Sequence, residues 1–296
     1  MTAEAIGSLV PAPAWSGAVV SIYSTAVNLL HPDGLLVGLV AAEGQMSPFS
    51  LLVPELFRAS TGANGVLLQV AMPCRLSGNQ LRIGPLTVEL DAATIWSGLL
   101  EPHLEGGIST PGNSLRRLEE ALGAAGTEGG FLSMIIATAS PTIFNRKASE
   151  LLAQIEETAG SRASVLAGLS GLVGLGIGFT PSGDDFISGA LLAEQMTAGR
   201  GGRIDREEIR YALGRTNYGG RTLLSSVLDR RFPDYLLQLA SSLHASELVG
   251  QSDEGAASRL VVAAVRAAAS HGETSGTDAM SGAAWYLRLA AGDLFV

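Results

Sequence analysis

Residues 178–189 read G-F-T-P-S-G-D-D-F-I-S-G, and residues 272–282 read G-E-T-S-G-T-D-A-M-S-G. When one proline is removed, the glycine, the threonine, the Ser-Gly pair, the aspartate and the final glycine coincide. Each stretch has the composition of a loop that leads into a helix, because glycine lets the backbone turn and Ser, Thr or Asp can satisfy free amides. We call them the first and second Ser-Gly-Asp motifs. They predict two helix starts that converge on one polar site.

The composition is that of a globular protein with a net negative charge. Hydrophobic residues make up 47% of the chain, charged residues 16%, and the formal net charge is -9. The length allows two domains with sizeable cores. A general binder of nucleic acid or of anionic membranes needs an extended basic surface, so the charge argues against both classes. Cys74 is the only cysteine, which excludes an intrachain disulfide and favours a reducing compartment.

Nothing in the chain has the pattern of a targeting or membrane segment. The first ten residues, M-T-A-E-A-I-G-S-L-V, lack the basic start and apolar core of a signal peptide. The uncharged stretch 163–183 is about long enough to span a bilayer, but six glycines interrupt it and two aspartates follow. We therefore predict a buried helix that leads into a Gly-rich loop, and a cytoplasmic protein with no membrane contact.

The pattern along the chain changes near residue 105. The first part contains short apolar runs and a predicted hairpin between residues 66–76 and 81–90, and Pro85 suggests an edge or a bulge there. The later part has helical periodicity. We predict an α+β fold, with a β-rich N-terminal domain over residues 1–105 and a mostly helical domain over residues 106–296 that carries both motifs.

Several helix starts are indicated by capping residues in the later part. Asn113 or Ser114 can cap a helix that follows, and Asp205 with Glu208 resembles a capping box. The alanine-rich stretch 279–291 is apolar enough for a buried helix. The motifs therefore stand directly before helices whose first turns are available to a ligand.

The residue types of the motifs suit two kinds of ligand. A helix N-terminus binds anions through free amides and a partial positive charge, whereas carboxylates with a histidine suit acid–base catalysis or a hard cation such as Mg²⁺. The candidate catalytic residues are Asp184, Asp185, His271 and Asp278. The candidate ligand-binding residues are Gly178, Thr180, Ser182, Gly183, Arg221, Thr274, Ser275 and Gly276. No His or Cys spacing indicates a dedicated metal site, and the cofactor stays open, with Mg²⁺ the one candidate.

Basic side chains are concentrated in one short region. It contains Arg200, Arg203, Arg206, Arg210, Arg215, Arg221, Arg230 and Arg231. One interpretation is a solvated helix face; the other is that one or two of these guanidinium groups bind an anionic ligand with a bidentate fork. Arg221, in a third Gly-turned entry to a helix, is the best candidate for a ligand contact.

The two motifs, G-I-G-F-T-P-S-G-D-D-F-I-S-G and H-G-E-T-S-G-T-D-A-M-S-G, together with Arg-Thr-x-x-x-Ser at Arg221, resemble a bacterial family first catalogued as a domain of unknown function. That family includes the AllH-type subunit of oxamate carbamoyltransferase. The resemblance implies a place in purine-nitrogen catabolism, where a carbamoyl group moves between oxalurate and phosphate to give oxamate and carbamoyl phosphate. It also implies other carbamoyltransferase subunits as partners in an oligomer, and a small anionic metabolite, carbamoyl phosphate or phosphate, as ligand.

The resemblance assigns expected roles to the motif residues. The phosphate group would lie at the helix starts, held by amides near Gly183 and Gly276, by the motif hydroxyls and by Arg221. His271 or one of the aspartates would take the proton from the amide nitrogen. Two alternatives remain open at this point: a Mg²⁺-dependent hydrolase of a phosphate-containing metabolite, and a non-catalytic subunit that binds a metabolite and shapes the active site of another chain.

Overall fold

The computed structural model describes residues 1–60, 68–157, 159 and 163–292. It divides the chain into two compact units. The first comprises Met1–Leu99 with Arg231–Asp234, and the second comprises Leu100–Arg230 with Tyr235–Val296. The first unit is built mainly of strands and the second mainly of helices, so the predicted α+β class is confirmed. The return of residues 231–234 to the first unit has no signal in the sequence, and the predicted division at residue 105 stays a prediction.

The first unit is formed around one sheet. Its strands are β1 (Ala5–Gly7), β2 (Trp15–Ile22), β3 (Ala26–Leu30), β4 (Leu36–Val40), β5 (Ser50–Leu52), β6 (Pro73–Ser77), β7 (Gln80–Ile83), β8 (Leu86–Glu89) and β9 (Thr94–Trp96), with one helix, α1 (Pro54–Ser60). The order across the sheet is β8-β7-β6-β2-β3-β4-β5-β1-β9. Alternate residues of these strands, such as Leu29, Leu39 and Leu81, are fully buried and form the core.

The predicted hairpin is present, but it is shorter than expected and its second arm is broken. β6 pairs with β7 in antiparallel orientation, with Ser77 opposite Gln80 at the turn. The chain then turns at Gly84, which has a φ of 53°, and at Pro85, which lacks an N–H for the ladder. The second predicted strand is therefore divided into β7 and β8. Residues 66 and 67 of the first predicted strand lie outside the described residues.

The second unit consists of helices that surround a central pair. The helices are α2 (Pro111–Ala125), α3 (Asn145–Glu156), α4 (Ser182–Met196), α5 (Arg206–Ala212), α6 (Tyr218–Leu228), α7 (Asp234–Gly250), α8 (Glu254–Ala269) and α9 (Ser275–Ala291). Two short strands, β10 (Val165–Leu166) and β11 (Arg203–Ile204), pair in parallel. α4 and α9 are buried along most of their length and pack against each other.

Helices α4 and α9 are in close contact at one glycine of each helix, and each glycine faces the backbone of the other helix. A methyl group on Gly189 would overlap the carbonyl oxygen of Ala279, and one on Gly282 would overlap that of Phe186. Gly189 and Gly282 hold the same position in the two motifs, as do Phe186 and Ala279. A contact in which equivalent positions exchange partners is the signature of two-fold symmetry. The two motifs are thus related by an approximate two-fold rotation.

The stretch 163–183 is not a helix, which corrects the prediction. Before α4 begins at Ser182, it contains β10, a single 3₁₀ turn at Leu169–Leu172 and a loop. Gly168, Gly174 and Gly176 have φ values of 101°, 76° and 122°, which an α-helix does not contain. In the part of the chain that the structure describes, no helix is both long enough and apolar enough to cross a membrane.

One predicted helix start is confirmed. Asp205 caps α5 by accepting hydrogen bonds from the amides of Glu207 and Glu208, both at 3.1 Å. The capping box is incomplete, because the Glu208 carboxylate instead accepts from the Gly168 amide and the Ser170 hydroxyl.

The predicted start of α2 is wrong. The helix begins at Pro111, with Thr110 rather than Asn113 or Ser114 in the capping position. The amides of Ser109 and Thr110 donate to the carboxylate of Glu247 on α7, at 2.8 and 2.9 Å. A residue remote in sequence therefore stabilises this end of the helix, which local pattern alone does not reveal.

Candidate functional site

The two Ser-Gly-Asp motifs meet at the paired starts of α4 and α9. Ser182 and Ser275 are the first residues of these helices. The hydroxyl oxygens of Thr180 and Ser275 lie 2.7 Å apart and share a hydrogen bond. The predicted convergence of the motifs is thus confirmed, and it brings Asp185 and Asp278 to the same end of the helix pair.

Asp185 is buried, with 1% of its surface exposed. Loss of solvent raises the pKa of its carboxyl well above the ordinary value, and the negative charge of Asp278 raises it further. Hydrogen bonds from the hydroxyls of Thr180 and Ser275 lower this pKa in part. The Oδ2 atom of Asp185 is buried and has no hydrogen-bond partner among the described residues. Because most buried polar atoms in proteins are hydrogen-bonded, this oxygen is a candidate position for a proton.

Asp278 mirrors this arrangement in the second motif. Its Oδ1 atom accepts from the amide of Phe131 at 2.6 Å, and its Oδ2 atom accepts from the hydroxyl of Thr274 at 2.9 Å. Burial raises the pKa of this carboxyl to about 6, against the lowering effect of these bonds and of the Ser182 hydroxyl. Each aspartate therefore has one hydroxyl from its own motif and one from the other motif.

Asp184 faces a different set of partners. It is fully buried, its Oδ1 atom accepts from the Gly174 amide at 2.8 Å, and its Oδ2 atom accepts from the hydroxyl of Thr216. Burial raises its pKa to about 6, and these two bonds lower it in part. A side chain on Gly220 would overlap this carboxylate. Asp184 thus joins the glycine loop before α4 to the segment that leads into α6.

His271 and Tyr235 form an aromatic stack beside the aspartates. Their ring centroids are 4.6 Å apart and their planes are inclined by 26°. Burial lowers the pKa of His271, which favours the neutral ring. Burial and then the charge of Asp185 raise the pKa of Tyr235, whose hydroxyl also has a hydrogen bond with Ser188. Tyr235 therefore belongs to the cluster, although nothing in the sequence around it distinguishes it from a core tyrosine.

The amides at the helix starts are engaged within the protein. The Gly183 amide donates to the carbonyl of Leu175 at 2.8 Å, and the Gly276 amide donates to that of His271 at 3.2 Å. The amide of Asp185 donates to the carbonyl of Pro181 at 3.2 Å. The groups expected to hold phosphate thus already have acceptors. The polar groups of this cluster are therefore mainly carboxyls and hydroxyls.

Two further candidates lie at the edge of the first motif. The Gly178 carbonyl accepts from the side-chain amide of Asn217 at 3.0 Å, and Asn217 in turn caps α6 by accepting from Gly220. Arg221 follows in the first turn of α6, with an exposed side chain that has no ion pair within the described ranges. The structure therefore places Arg221 on the helix next to the motif, without a contact to the aspartates.

A magnesium ion is a candidate ligand of the aspartates. Across the described residues, no group of three or more His, Cys, Asp or Glu has an arrangement that could hold a metal ion. Mg²⁺ usually takes one or two carboxylates and completes its shell with water and substrate phosphate. Asp185 and Asp278 are the residues that would supply those carboxylates.

The fold and the aspartate cluster together place this chain in a class of α+β proteins. In this class the helical unit contains two symmetry-related aspartates at the starts of two paired helices. Two family models match the sequence: the AllH family N-terminal domain over residues 3–95, and oxamate carbamoyltransferase subunit AllH over residues 172–287. Together they cover most of the chain, and the chain belongs to the AllH family. The second match contains both motifs. No curated protein and no solved structure shows a significant match.

Proposed function

We propose that this chain is a subunit of a carbamoyltransferase that acts on oxalurate and oxamate with phosphate and carbamoyl phosphate. It works with other subunits of that enzyme, and its Asp185–Asp278 cluster binds the carbamoyl group. The single observation that carries the proposal is the buried, unpartnered Oδ2 atom of Asp185 among the motif hydroxyls. The family match, which contains both motifs, supports it.

The chemistry of the cluster fits the NH₂ end of a carbamoyl group. An NH₂ group donates hydrogen bonds, and an ionised Asp278 accepts them while Asp185 retains its proton. The hydroxyls of Thr180 and Ser275 can then donate to the carbamoyl oxygen, where negative charge develops when the carbon is attacked.

The raised pKa values suit a proton transfer at this position. A phosphate oxygen attacks the carbamoyl carbon of oxalurate, a C–O bond forms, and the C–N bond to the oxamate nitrogen breaks. The departing nitrogen takes a proton from the acid form of Asp185, which becomes the carboxylate. Burial raises the pKa of Asp185 well above its ordinary value and so favours that acid form. In the reverse direction the carboxylate takes the proton back.

The phosphate group requires a partner other than the helix-start amides. The Gly183 and Gly276 amides are engaged with carbonyls, and the aspartates repel an anion. Arg221, exposed at the start of α6, remains the candidate for this chain, and a second subunit is the other source of a cation. This division of the site explains why the enzyme would need more than one chain.

The test is carbamoyl phosphate formation from oxalurate and phosphate, measured for the isolated chain and for the chain co-expressed with the other subunits. Asp185→Asn should lower turnover by at least about a hundredfold, in line with the loss of a general acid. Asp229→Asn, on the surface at the end of α6, is the matched control and should leave the rate unchanged. Full activity of Asp185→Asn in the complex would reject the proposal.

The same experiment separates a catalytic from a non-catalytic subunit. If oxalurate binds to the isolated chain but turns over only in the complex, and Asp185→Asn leaves that turnover intact, this chain only shapes the site of its partner.

A further inference from the structure

Two neighbouring segments form an exposed surface beside the aspartate cluster. They are the loop before α4 and the segment that leads into α6. The side-chain amide of Asn217 donates to the Gly178 carbonyl at 3.0 Å, and a side chain on Gly174 would overlap the carbonyl oxygen of Arg215, so the segments are in direct contact. We call this the loop–α6 surface, and its exposed residues are Ile177, Phe179, Arg215, Tyr218 and Arg221.

Three apolar or aromatic residues of the loop–α6 surface are exposed to water. The exposed fractions are 80% for Ile177, 42% for Phe179 and 52% for Tyr218. A side chain on Gly219, the neighbour of Tyr218, would overlap the carbonyl oxygen of Phe179. Single exposed apolar residues are normal on proteins, whereas a group of them marks a place where another molecule binds. Phe179 precedes Thr180 of the aspartate cluster, so a molecule bound here lies at the edge of that cluster.

The equivalent loop before α9 shows that this apolar character is not a requirement of the motif. Ile177 and Phe179 hold the positions that His271 and Glu273 hold in the second motif. A helix begins after each of the two loops. The loop therefore forms with ionisable side chains at these positions, and the exposed apolar side chains of the first motif have another role.

The charged side chains of the loop–α6 surface have one sign. Residues 171–183 and 211–228 contain no Asp, Glu or Lys, although the whole chain has 28 acidic residues. The exposed side chains of Arg215 and Arg221 form no hydrogen bond and no ion pair within the described ranges. Aromatic residues and arginine are enriched at protein–protein interfaces, whereas Lys, Glu and Asp are depleted. The surface therefore has the composition of an interface and a positive charge.

A second copy of this chain does not suit the loop–α6 surface. Self-pairing about a two-fold axis places the same residues on both sides of the interface. It would bring Arg215 and Arg221 of both copies together, with no carboxylate from residues 171–183 or 211–228 to pair with them. Like charges that face each other across an interface weaken binding. The complementary partner is a different chain, with apolar side chains and carboxylates on its contacting surface.

We propose that the loop–α6 surface binds another subunit of the carbamoyltransferase. Apolar side chains of that subunit pack against Ile177, Phe179 and Tyr218, and its carboxylates pair with Arg215. This inference rests on the proposed function, because the partner is a subunit of the same enzyme. It adds the place of contact, which borders the start of α4 and so puts the second subunit next to the aspartate cluster.

The experiment measures the Kd between the full-length chain and the other subunits, co-expressed without it, by biolayer interferometry. Ile177→Ser combined with Tyr218→Ser should increase Kd by at least about tenfold, because apolar and aromatic side chains provide much of the binding energy of an interface. The melting temperature of the isolated variant should equal that of wild type, since both residues are more than half exposed. Ile143→Ser combined with Leu248→Ser, at residues that are 87% and 61% exposed, is the matched control and should leave Kd unchanged.

The association rate tests the charge of the surface separately. A charge at the edge of an interface mainly affects the association rate and its dependence on salt. Arg215→Glu should therefore lower the association rate constant by at least about threefold at low salt, and by less at high salt. Arg266→Glu, at an exposed position on α8, is the control and should have no such effect.

Two results would overturn this inference and leave the proposed function intact. The first is that wild type binds the other subunits and the Ile177→Ser, Tyr218→Ser variant binds them equally tightly. The second is that the isolated wild-type chain is a dimer in light scattering and this variant is a monomer, which would show that the surface pairs with a second copy. If wild type does not bind the other subunits at all, the proposed function fails and this inference fails with it.

Discussion

Asp278 raises the pKa of Asp185 by charge repulsion, although the two residues belong to motifs far apart in the sequence. They hold the same position on two helices related by an approximate two-fold rotation. Both carboxyls are buried, so ionisation of one makes ionisation of the other more costly. Ionisation of both carboxyls at once is therefore disfavoured, which suits the proposed proton transfer.

The first prediction concerns the stability of the Asp185→Asn protein. The substitution removes a buried charge that Asp278 repels and keeps the size of the side chain. The melting temperature at pH 7 should therefore stay the same or rise, while activity is lost. Differential scanning calorimetry measures it, and a fall of several degrees would show that the carboxylate serves the fold instead.

The second prediction concerns the pH dependence of Asp278. Its pKa is about 6 in the folded protein against an ordinary value of 3.8. The folded state thus binds the proton more tightly. The stability that this group contributes is full below about pH 4 and is lost as the pH rises to about 6, with a magnitude of about 3 kcal/mol.

Asp278→Asn removes the loss of stability at higher pH, because asparagine does not ionise. Its side-chain oxygen can still accept from the Phe131 amide. The free energy of unfolding of the variant, relative to wild type, should therefore increase between pH 4 and pH 7. Urea denaturation at intervals across that range measures the difference. A difference that does not vary with pH would contradict the raised pKa.

The third prediction tests the contact between α4 and α9. Gly189→Ala and Gly282→Ala should each reduce the free energy of unfolding by at least about 2 kcal/mol, because the added methyl group overlaps backbone of the facing helix. Gly123→Ala in α2 is the matched control. A side chain there has nothing within 4 Å, so alanine should stabilise the protein by up to about 1 kcal/mol. Equal effects at the three positions would refute the reciprocal contact.

The fourth prediction concerns the Asp184 contact with the glycine loop. Thr216→Val removes the hydroxyl that donates to Asp184 and leaves a buried carboxylate oxygen without it, at a cost of about 1–3 kcal/mol. Amide hydrogen exchange of Gly174, whose N–H donates to the same carboxylate, should become faster. Thr216→Ser retains a hydroxyl and should restore slow exchange. If the valine variant exchanges at the wild-type rate, the contact does not hold the loop.

The sequence predicts the parts of this site that depend on local pattern. The spacing of the motifs was sufficient to predict two helix starts that converge, although α9 begins at Ser275 and not at the predicted residue 279. Alternation and turn residues were sufficient for the strand-rich unit, and the Asp205 cap is a local signal of the same kind. These features depend on neighbours a few residues away, which a single sequence displays.

The rest depends on contacts between distant segments. The Gly183 amide is engaged because the loop from Gly168 turns back and places the Leu175 carbonyl beside it, and glycine backbone angles cannot be read from letters alone. Tyr235 reaches Asp185 from α7, and nothing in its own helix marks it. The predicted anion site was therefore chemically reasonable at each helix start. The prediction did not include the path of the loop, which brings carbonyl acceptors to the amides.

The approximate two-fold relation between α4 and α9 also has a consequence for synthesis of the chain. Each aspartate depends on a hydroxyl from the opposite motif, so neither half of the cluster is complete alone. A ribosome must release the chain as far as Ser275 before the hydroxyl of that residue can meet the hydroxyl of Thr180. A nascent or prematurely terminated chain that ends before α9 therefore carries no assembled cluster, however well its strand-rich unit has folded.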